Sequence, residues 1–265
     1  MNFVNLIYGI ILKMEMKNCK IIENRKLERE HFLLRVENKF IKDFKPGQFI
    51  MIKIPSFFLK RPFSLCKVDK NSITVLYKVV GEGTKRLSEM TPGTVLNVLG
   101  PCGNGFKVDK NTKNIWIVGG GVGVAPLIYL TEKLKKKKIT FFYGTKKKNF
   151  LFFELLPYGP EYIFATDDGS YGYKGTIFSI LKNIIKKEGK PDIIYCGGPE
   201  ILLKKLSEFS KKRKIPAYMT LENIMGCGMG LCYGCVIKVK TSDGWDYKRV
   251  CKDGPVFKSE EIIWE

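Results

Sequence analysis

Along residues 14–108, apolar positions come in short runs that alternate with polar ones, at 31–38, 48–54, 64–68, 72–80 and 94–100. Pro46-Gly47, Pro92-Gly93 and Gly100-Pro101 punctuate them. Alternation between turn signals predicts half-buried strands, and several short strands at this spacing predict a small antiparallel barrel or sandwich. From about residue 113 the rhythm changes. Apolar runs at 114–121, 139–144, 162–168, 192–198 and 215–221 now alternate with helix-period stretches at 125–137, 175–187 and 200–213. That order predicts a parallel sheet flanked by helices. From about 223 neither rhythm holds, and cysteine and glycine dominate. The pattern thus divides the chain into 14–108, 109–222 and 223–265, with no internal repeat.

Composition changes this picture little. A chain of 265 residues that is 45% apolar has room for two domains and a small appendage. The net charge of +20 suggests anionic partners, but the lysines are strewn in short runs (Lys135 to Lys138, Lys146 to Lys148, Lys211 and Lys212). We read them as a solvated surface, with steering of anionic ligands or an acidic partner as the other reading, and expect neither nucleic acid nor membrane as a partner. The opening MNFVNLIYGIIL has no basic residue before it and no cleavage site after it, and falls short of the roughly 18 apolar residues a membrane helix needs. Residues 1–13 are read as an extension ahead of a natural start at Met14 or Met16, with a short surface helix as the alternative. Thiols at Cys19, Cys66, Cys102 and Cys196 without an export signal point to the reducing cytoplasm, and against a disulfide knot.

The densest chemistry is Cys227-x4-Cys232-x2-Cys235-x15-Cys251. This is the plant-type [2Fe-2S] ligand spacing, in which four thiolates, two sulfides and two ferric ions leave a charge of about −2 to be offset. Gly226, Gly228, Gly230 and Gly234 let the backbone wrap tightly and aim N–H groups at the sulfurs. Zinc is the competing reading, although only one Cys-x2-Cys knuckle is present. A Rieske centre needs two histidines and the chain has only His31, which we read as a partly buried barrel residue.

At 115–127 a strand runs into Gly119, Gly120, Gly121 and Gly123, then a helix whose first turn accepts Pro126. Such a junction lets backbone amides approach a pyrophosphate, and a tight strand–helix connection is the alternative. Cys196-Gly197 follows another strand at the same carboxyl edge, where Cys196 either neighbours the reactive end of a nucleotide or is a small buried residue. Asp167 and Asp168 end a third strand, where a carboxylate accepts from a ribose 2′-hydroxyl and repels a 2′-phosphate, favouring NAD. Lys146 to Lys148 argue the other way. In the barrel region, Arg61 and Ser64 offer a cation and a hydroxyl, Phe63 a stacking face, and Gly83-Thr84 an approach to a pyrophosphate.

RPFS, VGEGT, GGGVGVAP and CGGPE followed by a terminal cysteine loop together resemble the ferredoxin reductase-like flavoproteins. The ending LENIMGCGMGLCYGCVIKV…RVCKDGPVF is similar to that of the dihydroorotate dehydrogenase B electron-transfer subunits, and the likeness runs from about residue 16. The resemblance implies a β-barrel FAD domain, an α/β parallel-sheet NAD domain and a small C-terminal [2Fe-2S] unit. By it, Arg61, Pro62, Phe63, Ser64, Leu76, Tyr77, Lys78, Gly83 and Thr84 contact FAD, and Cys227, Cys232, Cys235 and Cys251 ligate the cluster. The family often has tyrosine where Phe63 stands, a change that keeps stacking and loses a phenolic hydrogen bond. The implied activity is electron transfer to NAD+ from a dihydroorotate dehydrogenase catalytic subunit, two of each subunit, in pyrimidine biosynthesis. No catalytic acid or base is expected in this chain. Small subunits of bifurcating transhydrogenases or sulfide dehydrogenases, oxygenase reductases, and a zinc-bearing nucleotide-binding regulator remain as alternatives.

Overall fold

In the computed structural model, residues 14–109 and 111–264 are described, and the segment 1–13 read above as an extension lies outside them. The alternating runs of the first third form β1 (Glu15–Glu28), β2 (His31–Glu37), β3 (Phe49–Lys53), β4 (Arg61–Val68), β5 (Ser72–Lys78) and β6 (Val95–Cys102). They close into a barrel in the order β1-β2-β5-β4-β3-β6, each neighbouring pair antiparallel. Closure leaves no edge strand to pair with another chain. Ile21, Leu34, Ile50, Ile52, Leu65, Val75 and Val98 fill the interior. His31 starts β2, is buried, and donates from Nδ1 towards the Glu28 carbonyl at 3.3 Å.

Between β5 and β6 the short helix α1 (Glu82–Ser88) departs from the strand-and-turn reading. Its first turn is set by the Thr84 hydroxyl, which accepts the N–H groups of Val80 (2.9 Å) and Gly81 (3.2 Å). Its far end is tied to β1, because Asn24 Nδ2 donates to the carbonyls of Leu87 (2.8 Å) and Met90 (2.9 Å). The Tyr77 hydroxyl donates to Asn24 Oδ1 at 3.0 Å and so completes the brace.

The second unit is built on β7 (Asn114–Gly120), α2 (Ala125–Lys133), β8 (Lys138–Thr145), β9 (Glu161–Thr166), β10 (Tyr173–Lys174), α3 (Ile177–Glu188), β11 (Ile193–Gly197), α4 (Glu200–Arg213) and β12 (Ala217–Thr220). The sheet order is β10-β9-β8-β7-β11-β12-β15, parallel except at β15 (Val256–Lys258), which pairs antiparallel with β12. Residues 115–120 of β7 are all buried, as a central strand covered on both faces must be. Trp116 packs on Phe142 at 4.9 Å between ring centres. Thr176 caps α3 by accepting the Ser179 N–H. Helix α4 turns Leu202, Leu203, Leu206 and Phe209 inward, and the lysine runs named above are mostly exposed.

The residues from 222 on divide between the two units. Residues to Gly105, with Glu222–Val236 and Arg249–Pro255, pack as the barrel unit; Phe106–Leu221, Ile237–Lys248 and Val256–Glu265 pack as the α/β unit. The latter holds the hairpin of β13 (Val236–Thr241, from its second residue on) and β14 (Gly244–Arg249, to Lys248). Among the described residues, no helix is long and apolar enough to cross a membrane.

Candidate functional site

The cysteine segments dock on β3 of the barrel and on the turn that follows β6. Any Cβ at Gly228, whose φ is +69°, would meet the Met51 side chain at 2.7 Å, so this turn needs glycine for both conformation and space. From the other segment, the Gly254 carbonyl accepts the Asn104 N–H at 2.6 Å, and Asn104 Nδ2 donates to the carbonyls of Lys252 and Asp253. Val250 N–H then donates to the Cys235 carbonyl at 2.9 Å, which brings Cys251 beside the first three cysteines.

The thiols sit in a nest of donors. Cys227 Sγ accepts from the Met229 and Leu231 N–H groups, each at 3.4 Å, and Cys235 Sγ accepts from the Cys251 N–H at 3.4 Å. Burial pushes the Cys227 thiol up, but the N–H donors of Met229, Cys232 and Leu231 with the Cys232 side chain outweigh it and bring it to about 7. Cys251 is pushed up by burial and by the adjoining Cys235. The nest is therefore made largely by the residues between the glycines, with Gly230 donating towards Cys251.

Side-chain contacts pair Cys227 with Cys232 and Cys235 with Cys251. A tetrahedral zinc needs its four thiolates around one ion, whereas a two-iron cluster takes them in two pairs. The donor set fits the cluster. Cys235 and Cys251 are buried, Cys227 is half-buried and Cys232 is exposed.

In the barrel, Arg61 and the start of α1 come together: a Cβ on Gly83 would lie 3.3 Å from the Arg61 Nε. The guanidinium is held there by donation to the Leu59 carbonyl (2.7 Å) and by the Phe57 ring beneath it (5.4 Å). Phe63, Leu76 and Tyr77 are buried instead. Phe63 is 7% exposed and meets Tyr77 edge-on at 5.8 Å, and Tyr77 spends its hydroxyl on Asn24. Thr84 likewise spends its hydroxyl on the α1 turn. Ser64 and Pro62 lie along β4, and Lys78 ends β5 beside an open depression lined by Glu30, Val79 to Glu82 and Lys85.

In the α/β unit the order of the parallel strands reverses between β7 and β11, the switch point at whose carboxyl edge such sheets bind ligands. Both glycine loops lie there. A Cβ on Gly123 would fall 2.4 Å from the Gly198 backbone, one on Gly197 2.4 Å from the Gly123 carbonyl, and one on Gly120 2.9 Å from Leu202 and Pro199. Gly121 is different, with φ +52° and open space around its Cβ position. The loops thus need glycine to pack on each other. Cys196 is fully buried within β11, pairing with Val118 and Met219, so its thiol faces the core. Asp167 is exposed at the end of β9 beside the Lys146 to Lys148 turn, and Asp168 is engaged by the Ser170 N–H.

Three groups at the cysteine site escaped the sequence reading: Arg249, Tyr233 and Asp253. Arg249 Nη1 donates to the Gly230 carbonyl at 2.9 Å, and its guanidinium lies 4.6 Å from the Tyr233 ring centre. A cation two residues before a cysteine carries no distinguishing signal in a chain with 46 lysines and arginines.

Residues 222–263 match the family model described as the iron-sulfur cluster binding domain of dihydroorotate dehydrogenase B. The dihydroorotate dehydrogenase B (NAD(+)) electron transfer subunit of Caldanaerobacter subterraneus subsp. tengcongensis is 42% identical over 93% of this chain and 98% of its own length. That of Clostridium perfringens is 36% identical over 95% and 99%. Among solved structures, the NADH-dependent reduced ferredoxin-NADP oxidoreductase studied for flavin-based electron bifurcation aligns with TM-score 0.82 and 28% identity, over 94% of this chain and 90% of that one. Phthalate dioxygenase reductase aligns with TM-score 0.64 and 16% identity, over 85% and 87%, and shares the fold. With near-full-length relatives at this identity and a cysteine site of matching donor chemistry, the chain belongs to the family of dihydroorotate dehydrogenase B (NAD(+)) electron transfer subunits.

Proposed function

We propose that the chain carries electrons between a dihydroorotate dehydrogenase catalytic subunit and NAD+, with FAD, a [2Fe-2S] cluster and NAD as its cofactors. The observation that carries this reading lies within the barrel unit. Met51 of β3 is paired with Pro62 of the RPFS strand and its side chain fills the space at Gly228 of the cysteine loop. Cluster ligands and flavin motif are therefore separated by a single strand pairing, with strands about 4.8 Å apart. Such closeness suits single-electron transfer.

When bound, FAD exchanges electrons in pairs with the nicotinamide and singly with the cluster. The residues of this chain bind and orient. Cys227, Cys232, Cys235 and Cys251 hold the irons; Arg61 sets a fixed cation at the Gly83-Thr84 turn for the FAD phosphates, with Pro62 to Ser64 and Leu76 to Lys78 along its course. Gly120, Gly121, Gly123 and the Cys196-Gly197 backbone floor the nucleotide edge, where Asp167 meets the ribose. Oxidation of dihydroorotate to orotate, a step of pyrimidine biosynthesis, belongs to the partner. We further infer two of each subunit and a cytoplasmic complex.

Reconstitution tests the whole. The chain purified without oxygen should be brown-yellow with one flavin and about two irons, and should confer dihydroorotate-dependent NAD+ reduction on the catalytic subunit. A colourless protein holding zinc would overturn it, and an obligate large amidotransferase-like flavoprotein partner would redirect it to transhydrogenation. Arg61→Ala should leave a folded protein depleted of FAD, read from the 450 nm absorbance of the purified protein. Full flavin content would remove Arg61 from the site. Asp167→Asn should raise NADPH oxidation about tenfold relative to NADH, equivalent to about 1.4 kcal/mol; an unchanged ratio would remove Asp167 as the selector.

A further inference from the structure

The four thiols lie on two separate segments, and Arg249 joins them. Towards the first segment it donates from Nη1 to the Gly230 carbonyl (2.9 Å) and covers the Tyr233 ring (4.6 Å). Towards the second it donates from Nε to Asp253 Oδ2 (3.1 Å), and its backbone N–H donates to the same oxygen (2.8 Å). Its carbonyl accepts the N–H groups of Lys252, Asp253 and Gly254, so the turn carrying Cys251 is wound around it. The side chain is only 15% exposed.

Tyr233 adds an independent sign of constraint. It holds φ +56°, a left-handed conformation that costs a bulky residue about 1–3 kcal/mol and persists only where the surroundings enforce it. The guanidinium lies over its ring, 4.6 Å from the ring centre. Neither Arg249 nor Tyr233 is among the four cysteine ligands.

The Arg249 charge has a second effect. A [2Fe-2S] cluster with four thiolates gains a negative charge on reduction, so a fixed cation nearby favours the reduced form and a fixed anion disfavours it. Arg249 stands two residues before Cys251, and Asp253 two residues after it places the opposing charge on the same turn.

We propose that Arg249 is a positioning residue that clasps the two ligand segments and that, with Asp253 as the opposing charge, it sets the reduction potential of the cluster. The inference rests on the four thiols forming a [2Fe-2S] site. The test uses the full-length chain with its cofactors, its iron and sulfide measured first and the midpoint potential then titrated while the cluster is followed by electron paramagnetic resonance. Arg249→Gln should move the potential negative and Asp253→Asn should move it positive, with Arg249→Lys returning it towards the parent value. Should Arg249→Gln lose its irons, the positive shift of Asp253→Asn decides. Unmoved potentials, or shifts of one sign in both variants, would overturn the proposal. A parent protein without irons would instead overturn the cluster reading itself, so the two failures are distinct.

Discussion

Cys232→Ser is expected to abolish dihydroorotate-dependent NAD+ reduction while sparing NADH oxidation by a two-electron dye. Cys232 is the exposed thiol of the four, so its replacement leaves the buried pair Cys235 and Cys251 and the barrel interior intact. The cost should exceed the 10- to 100-fold that follows loss of a group merely supporting a metal ligand, because a ligand itself is removed. The dye reaction needs the flavin and the nucleotide edge alone. Assaying both reactions on one purified preparation checks the wiring, and equal loss of both in a folded protein would contradict it.

Gly123→Val should abolish both reactions while sparing the cofactors. The obstacle there is space, since a Cβ would stand 2.4 Å from the Gly198 backbone and the loops after β7 and β11 cannot both keep their places. Overpacking of this kind costs about 1–3 kcal/mol of stability. The larger effect is on function. The switch-point edge would be distorted, and NADH oxidation by any acceptor should fall to background. The flavin and cluster spectra should persist, because Arg61 and the cysteines belong to the other unit. Stopped-flow reduction by NADH with a thermal melt on the same variant would show this; normal NADH reduction would mean that the edge does not bind the nucleotide.

Much of the architecture was legible because it rests on local pattern. Alternating runs became barrel strands, and uninterrupted apolar runs followed by helix-period stretches became the parallel sheet. The cysteine spacing was legible because metal geometry restricts it. What escaped is non-local or weakly patterned. Helix α1 is a short polar segment whose existence depends on one threonine hydroxyl and on Asn24 some sixty residues earlier. Strand β15 joins the sheet by pairing with β12 across a stretch that visits the other unit, which no local period reveals. The glycines at 119–123 read as an approach to a pyrophosphate or as a tight strand–helix connection; what the structure adds is their packing on the glycines at 197–198, which no local pattern reveals. Phe63 read as a stacking face is buried against Tyr77, because alternation in β4 says which side faces in but not how a neighbouring ring fills the space.

The division of residues 222–265 between the units has a consequence for inheritance. The chain passes between its units at 105/106, 221/222, 236/237, 248/249 and 255/256. An iron-sulfur module strung on a linker can be gained, lost or shuffled by one recombination event. Here a break at 221/222 would carry off β15 with the cysteines and strip the sheet of its antiparallel edge. The redox segment is therefore not a cassette that one cut can remove: its loss would alter both units, the barrel through the cysteines and the sheet through β15.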